Sequence, residues 1–84
     1  MSHNLEAPSK DIDWVDAAMR MDGAVAVAEA RVSAQAKVVL EVAERGEDTI
    51  VEAALLQKHE RSLALRRGVQ AYLIKRLLNE YGRI

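Results

Sequence analysis

The segment Arg45-Gly46-Glu47-Asp48-Thr49 constrains the fold of this 84-residue chain more than any other feature. Gly46 can adopt the left-handed backbone conformation that ends a helix, and Thr49-Ile50-Val51-Glu52 has the Thr-x-x-Glu pattern of a capping box that begins one. Helical periodicity on both sides of this break predicts an all-α hairpin of two long helices, about 11–45 and 49–82. Because a two-helix layer leaves one side of each helix without a partner, we expect the core to be completed by another chain.

The remaining organisation is simple. Residues 1–8 are polar and predict a mobile N-terminal lead, and residues 9–84 predict a single helical-hairpin domain. Pro8-Ser9 is a plausible start for the first helix. Within that helix, Asp22-Gly23 interrupts the pattern and marks either a kink or the true start of the long helix.

The first helix carries a regular apolar row. Its members alternate three and four residues apart: Ala18, Met21, Val25, Ala28, Val32, Gln35, Val39 and Val42. A second row of small side chains lies beside it: Ala17, Ala24, Val27, Ala34 and Val38. Alternation of three and four is the heptad pattern of helices that pack on helices, so we expect Val32 and Val39 to be buried against another helix.

The second helix is apolar over a broad surface toward its C-terminus. Leu56, Leu63, Leu77 and Ile84 share one heptad position, and Gln70 fills the gap in it. One partner helix would not cover this surface, so in a lone hairpin we expect partial exposure of Leu63, Leu73, Ile74, Leu77, Leu78 and Ile84. The residues predicted to form interfaces are Trp14, Val25, Val32, Val39, Leu63, Leu73, Leu77, Tyr81 and Ile84.

Composition also favours association with a partner. The chain has 14 alanines and no phenylalanine, so its side chains bury little area. A domain of this size that lacks cysteine and an evident metal site usually needs oligomerisation to be stable. The absence of cysteine also leaves the compartment undecided.

Charge is unevenly distributed along the chain. Residues 1–57 carry eleven acidic and five basic side chains, a balance of −6, and residues 58–84 carry seven basic and two acidic ones, a balance of +5. Three interpretations remain open: solvated helix faces, complementary surfaces on two subunits, or a surface for nucleic acid.

Catalytic and ligand-binding patterns are absent from the sequence. His59 has only Ser62 as a polar neighbour on its helical face, so we interpret it as a surface histidine, and His3 falls in the N-terminal lead. Asp11, Asp13 and Asp16 suit the positive end of a helix dipole better than a calcium loop. We therefore expect no enzymatic activity, no cofactor and no metal.

The basic residues of the second helix do not favour nucleic acid as a partner. They do not gather on one narrow face: Arg61, Arg66, Arg67, Lys75, Arg76 and Arg83. Tyr72 and Tyr81 alone could stack on bases, and no DNA-binding signature is present. The longest uncharged run, residues 68–74, has seven residues, whereas a membrane helix needs about 20, so we expect neither a membrane span nor a cleavable signal peptide.

The last third of the chain resembles a known group of proteins. The residues that carry the similarity are Leu56-Gln57-Lys58, Ser62-Leu63-Ala64-Leu65, Val69 and Leu73-Ile74. This segment is similar to the C-terminal helix of the flagellar basal-body protein FliE and of the related inner-rod proteins of type III secretion. The length and the central turn are also similar to type III needle subunits, although the turn lacks their proline-bearing loop. This resemblance implies a short helical subunit that polymerises into a hollow rod.

The sequence thus predicts a non-enzymatic structural or interaction subunit that associates with itself or with another helical protein. The resemblance points to a rod or needle component of a type III secretion apparatus. The alternative is a homodimeric four-helix bundle that serves as an adaptor, chaperone or regulator, with a nucleic-acid-binding regulator third. The localisation is left undecided between cytoplasmic and exported without a cleavable signal peptide.

Overall fold

The computed structural model describes residues 13–82 and shows a hairpin of two long helices. Helix α1 runs over Trp14–Glu44 and helix α2 over Ile50–Tyr81. The two helices pack side by side and form one layer. The predicted all-α hairpin is confirmed. The predicted lead over 1–8 and the Pro8-Ser9 helix start lie outside the described residues.

Asp13 caps the start of helix α1, and its carboxylate accepts a hydrogen bond of 3.0 Å from the Asp16 N–H. The Asp16 carboxylate in turn lies 2.9 Å from the Arg20 guanidinium. These acidic side chains satisfy the positive end of the helix, as the sequence predicted for Asp13 and Asp16. The helix continues through Asp22-Gly23, so that dipeptide is neither a helix break nor the start of the long helix.

The turn ends α1 in the manner that Gly46 predicted. Gly46 has a φ of 74°, in the left-handed region. The Gly46 N–H donates to the Ala43 carbonyl at 2.9 Å, and the Glu47 N–H donates to the Val42 carbonyl at 3.1 Å. This pair of bonds is the Schellman motif, which satisfies two carbonyls that a helix end would otherwise leave open.

The start of α2 differs from the predicted capping box. Thr49 occupies the N-cap position, but its side chain makes no capping hydrogen bond. Its ψ of 6° lies outside the extended region in which an N-cap hydroxyl reaches the first turn. The Asp48 carboxylate instead accepts from the Ile50 N–H at 2.9 Å, an Asx turn that replaces the cap.

A narrow core lies between the two helices. Within residues 13–82, the buried side chains are Val25, Ala28, Val42, Leu63 and Leu73. Val25, Ala28 and Leu63 form one cluster, with Met21 and Val32 packed against it. All eight positions of the predicted α1 row are buried or half-buried, so that row is the packing face of α1.

Candidate interaction surface

Most of the residues predicted to form interfaces lie between α1 and α2, in the interface that we call the seam. On α2 the seam follows the same alternation of three and four through buried or half-buried positions: Glu52, Leu56, His59, Leu63, Arg66, Gln70, Leu73 and Leu77. Val25, Leu63 and Leu73 are buried there. Trp14, Val32, Val39 and Leu77 are half-buried, Tyr81 is exposed, and Ile84 lies outside the described residues.

Two expectations about α2 were wrong. Leu63 and Leu73 were expected to be partly exposed in a lone hairpin, but each retains 8% of its accessible surface, because the seam of α2 includes both of them. His59 was interpreted as a surface residue, but it lies half-buried on the seam. The surplus apolar surface lies on other side chains of α2.

Two glutamines of the seam join the helices by polar contacts. The Gln35 side-chain amide donates to the Glu52 backbone carbonyl at 3.0 Å, and the Gln70 amide donates to the Asp22 carboxylate at 2.7 Å. The sequence marked both positions as polar interruptions but did not assign them a role. Polar side chains in a heptad row commonly specify register, which was the available signal.

Further contacts fix the same antiparallel register along the hairpin. The Arg67 guanidinium lies 2.9 Å from the Glu29 carboxylate, on an exposed flank. At the open end, the Arg76 guanidinium lies over the Trp14 ring, 4.6 Å from its centroid. From the turn to the open end, the residue numbers of the contacting side chains decrease along α1 and increase along α2. The two antiparallel helices therefore stay aligned over their full length.

These contacts occupy several of the arginines that were considered for nucleic acid. Arg67 pairs with Glu29, Arg76 stacks on Trp14, and Arg66 donates a hydrogen bond to the Ser62 hydroxyl. Arg61 and Lys75 are exposed, and Arg83 lies outside the described residues. Several of the basic side chains of α2 are therefore already engaged by partners within the hairpin.

The two flat sides of the helix layer differ in chemistry. Positions that follow a seam residue share the side on which Glu29 meets Arg67 and Asp22 meets Gln70, and we call it the paired face. The positions that immediately precede a seam residue share the opposite side of the layer. We call this side the apolar face. Its large exposed hydrophobic members are Val27, Val38, Val51, Leu55, Leu65, Val69 and Tyr72, and its exposed charged members are Arg20, Arg31, Glu41 and Lys58.

The paired face also has exposed apolar side chains, but they lie mainly beyond its polar pairs. A patch at the open end combines Val15, Met19, Ile74, Leu78 and Tyr81. In the described part of the chain no pocket is found and no group of three or more side chains could hold a metal ion. The candidate site is therefore a surface and not a cavity.

The described helices do not have the length and apolar character needed to cross a membrane. Comparisons of the chain with protein-family models, with curated proteins and with solved structures returned no match.

Proposed function

We propose that this protein is a non-enzymatic structural or interaction subunit that self-associates through its helices. The observation that supports this most directly is the imbalance of apolar burial. Five hydrophobic side chains are buried in the described residues, whereas fourteen large ones keep at least 36% of their surface exposed. Contiguous exposed apolar patches of this kind mark interaction sites in proteins.

The exposed apolar side chains represent a large unrealised stabilisation. Fully burying a Val, Leu or Ile side chain stabilises a protein by roughly 1.5–3 kcal/mol, and a small domain is stable by only about 5–15 kcal/mol in total. The exposed side chains of the apolar face alone represent an unrealised stabilisation comparable to that total. A second helical layer would recover much of it.

Two forms of assembly are compatible with this surface. In the first, the chain is a rod or needle component of a type III secretion apparatus, a proposal that rests on the resemblance of residues 56–74. An open polymer needs two different contact surfaces, and the apolar face and the open-end patch would supply them. The second form, a homodimeric four-helix bundle, would use the apolar face alone, since a surface that contacts its own copy closes in pairs.

The size of the protein in solution tests the proposal. We expect light scattering to give a mass of at least two 9.3 kDa chains at micromolar concentration. A mass that stops at two chains identifies the bundle, and a mass that grows with concentration identifies the polymer. A helical protein that keeps the mass of one chain at every concentration would contradict self-association.

A further inference from the structure

The apolar face has a geometry that suits one particular occupant. We propose that it is the contact surface for a second copy of this chain, with α1 of one copy over α2 of the other. This inference rests on the proposed self-association and specifies which surface carries it. Its boundaries follow from the seam, since the same heptad register that buries Leu63 sets Leu65 and Val69 on the outside.

The size of the face matches what a dimer requires. From Val51 to Tyr72 it extends over 22 residues of helix, about 32 Å for the 21 rises of 1.5 Å between them. Two adjacent helices are roughly 20 Å wide, so the footprint is on the order of 600 Å² per copy. Two such footprints reach the lower range of specific interfaces, about 1,200–2,000 Å² in total.

The relief of the face permits close stacking. Ala24 and Ala34 lie on its α1 side between larger side chains, and both are small enough for a neighbouring helix to approach. Leu65 and Tyr72 project from its α2 side and keep 72% and 55% of their surface. Ala24 leaves space on α1 beside Val27, and Leu65 of the other copy can occupy that space when α1 of one copy lies on α2 of the other, whereas the exposed Arg31 projects from the same half of the face.

The two helices differ in net charge, but their acidic side chains lie mostly away from the apolar face. Helix α1 carries five acidic and three basic side chains, and α2 carries three acidic and six basic ones. Asp22 and Glu29 lie on the paired face, and the charged positions of the apolar face between residues 24 and 72 are Arg31, Glu41 and Lys58, so charge within the apolar face does not select an orientation. A twofold axis parallel to the helices places α1 of each copy on α2 of the other and makes every neighbouring pair antiparallel, which suits the helix dipoles.

The contact register follows from symmetry. A twofold axis parallel to the helices preserves height along the hairpin, and Val27 and Leu65 lie at similar heights, between the levels of the Gln70–Asp22 and Gln35–Glu52 contacts. Val27 of one copy therefore meets Leu65 of the partner subunit. The two copies of Val27 are not expected to touch, because the α1 helix of each copy contacts α2 of the other copy and not its α1.

A matched pair of substitutions tests which face is used. Leu65 on the apolar face and Leu78 on the paired face are both leucines of α2, exposed to 72% and 65%. Leu65→Glu should raise the dimer dissociation constant about 100-fold or more, and Leu78→Glu should change it by less than about fivefold. Circular dichroism of both variants checks that the helices remain.

A cross-linking experiment tests orientation without depending on the folding of a charged variant. The chain has no cysteine, so introduced cysteines are unique. A mixture of the Val27→Cys and Leu65→Cys proteins should form a disulfide-linked heterodimer on mild oxidation. Each variant alone should give at least about tenfold less linked product.

The outcomes separate the two proposals. A wild-type protein that stays monomeric overturns both self-association and the proposed dimer contact. The apolar face would then be a surface for a different protein. A wild-type dimer that Leu78→Glu dissociates and Leu65→Glu does not retains self-association but overturns the apolar face. A dimer in which Val27→Cys links to itself overturns the stacking of α1 on α2.

Discussion

The seam and the apolar face are made of similar side chains with different neighbours. Leu63 and Leu65 lie two residues apart on α2, and they keep 8% and 72% of their surface. Leu63 reaches the Val25–Ala28 cluster of α1, whereas Leu65 has no helix above it in the hairpin. Position relative to the seam, and not hydrophobicity, therefore decides which side chains stabilise the hairpin and which remain for a partner.

The strongest test of this difference between the seam and the apolar face is to introduce the same charge into each of them. Leu63→Glu should lower the free energy of unfolding by about 3 kcal/mol or more, because it removes a packed side chain and introduces a carboxylate without a partner in the seam. A loss of this size should eliminate most of the helical signal in circular dichroism.

Leu65→Glu is the control for that measurement. It should leave the hairpin helical at concentrations at which Leu63→Glu is unfolded, since a substitution at an exposed site changes stability by only about 0.5 kcal/mol apart from association. Equal loss of helix in the two variants would show that the apolar face belongs to the folding core, and that hairpin and assembly form together.

A smaller effect is expected from the polar contacts of the seam. Gln35→Ala should cost about 1 kcal/mol in thermal or urea unfolding, because the part-buried amide loses its hydrogen bond to the Glu52 carbonyl. Gln57→Ala is the matched control, because Gln57 is an exposed glutamine of α2. An equal effect of both substitutions would mean that Gln35 does not hold the register that separates seam from apolar face.

The smallest predicted effect concerns the turn, which sets that register. Asp48→Ala should lower the free energy of unfolding by about 1 kcal/mol or less, because the Ile50 N–H loses its acceptor. Thr49→Ala should have little effect, since the Thr49 side chain makes no capping bond. A thermal melt in which Thr49→Ala is the more damaging substitution would restore the capping box that the sequence suggested.

Much of the fold was predictable because it depends on local patterns. The α1 row from Ala18 to Val42 has a period that only a packed helix requires, and all of its members lie on the seam. Gly46 was recognisable because few other residues adopt a φ of 74° without strain. Asp22-Gly23 was ambiguous, since a single glycine costs a long packed helix only about 1 kcal/mol.

The candidate surface was less predictable. The sequence showed that α2 has more apolar positions than one partner helix can cover, but it assigned part of that surplus to Leu63 and Leu73, which the seam buries. Several apolar rows on α2 were possible packing faces. The choice among them depends on which row meets α1, and no pattern within α2 contains that information.

By itself, then, the sequence determined the two helices, the turn between them and the packing face of α1, because each follows from periodicity or from the conformational freedom of one residue. The tertiary structure alone decided the Asp48 cap, the cross-helix bonds of Gln35 and Gln70, and the separation of a paired face from an apolar face. The physical reason is that these features depend on distances and angles between groups whose relative positions are set only when the turn closes and the helices align.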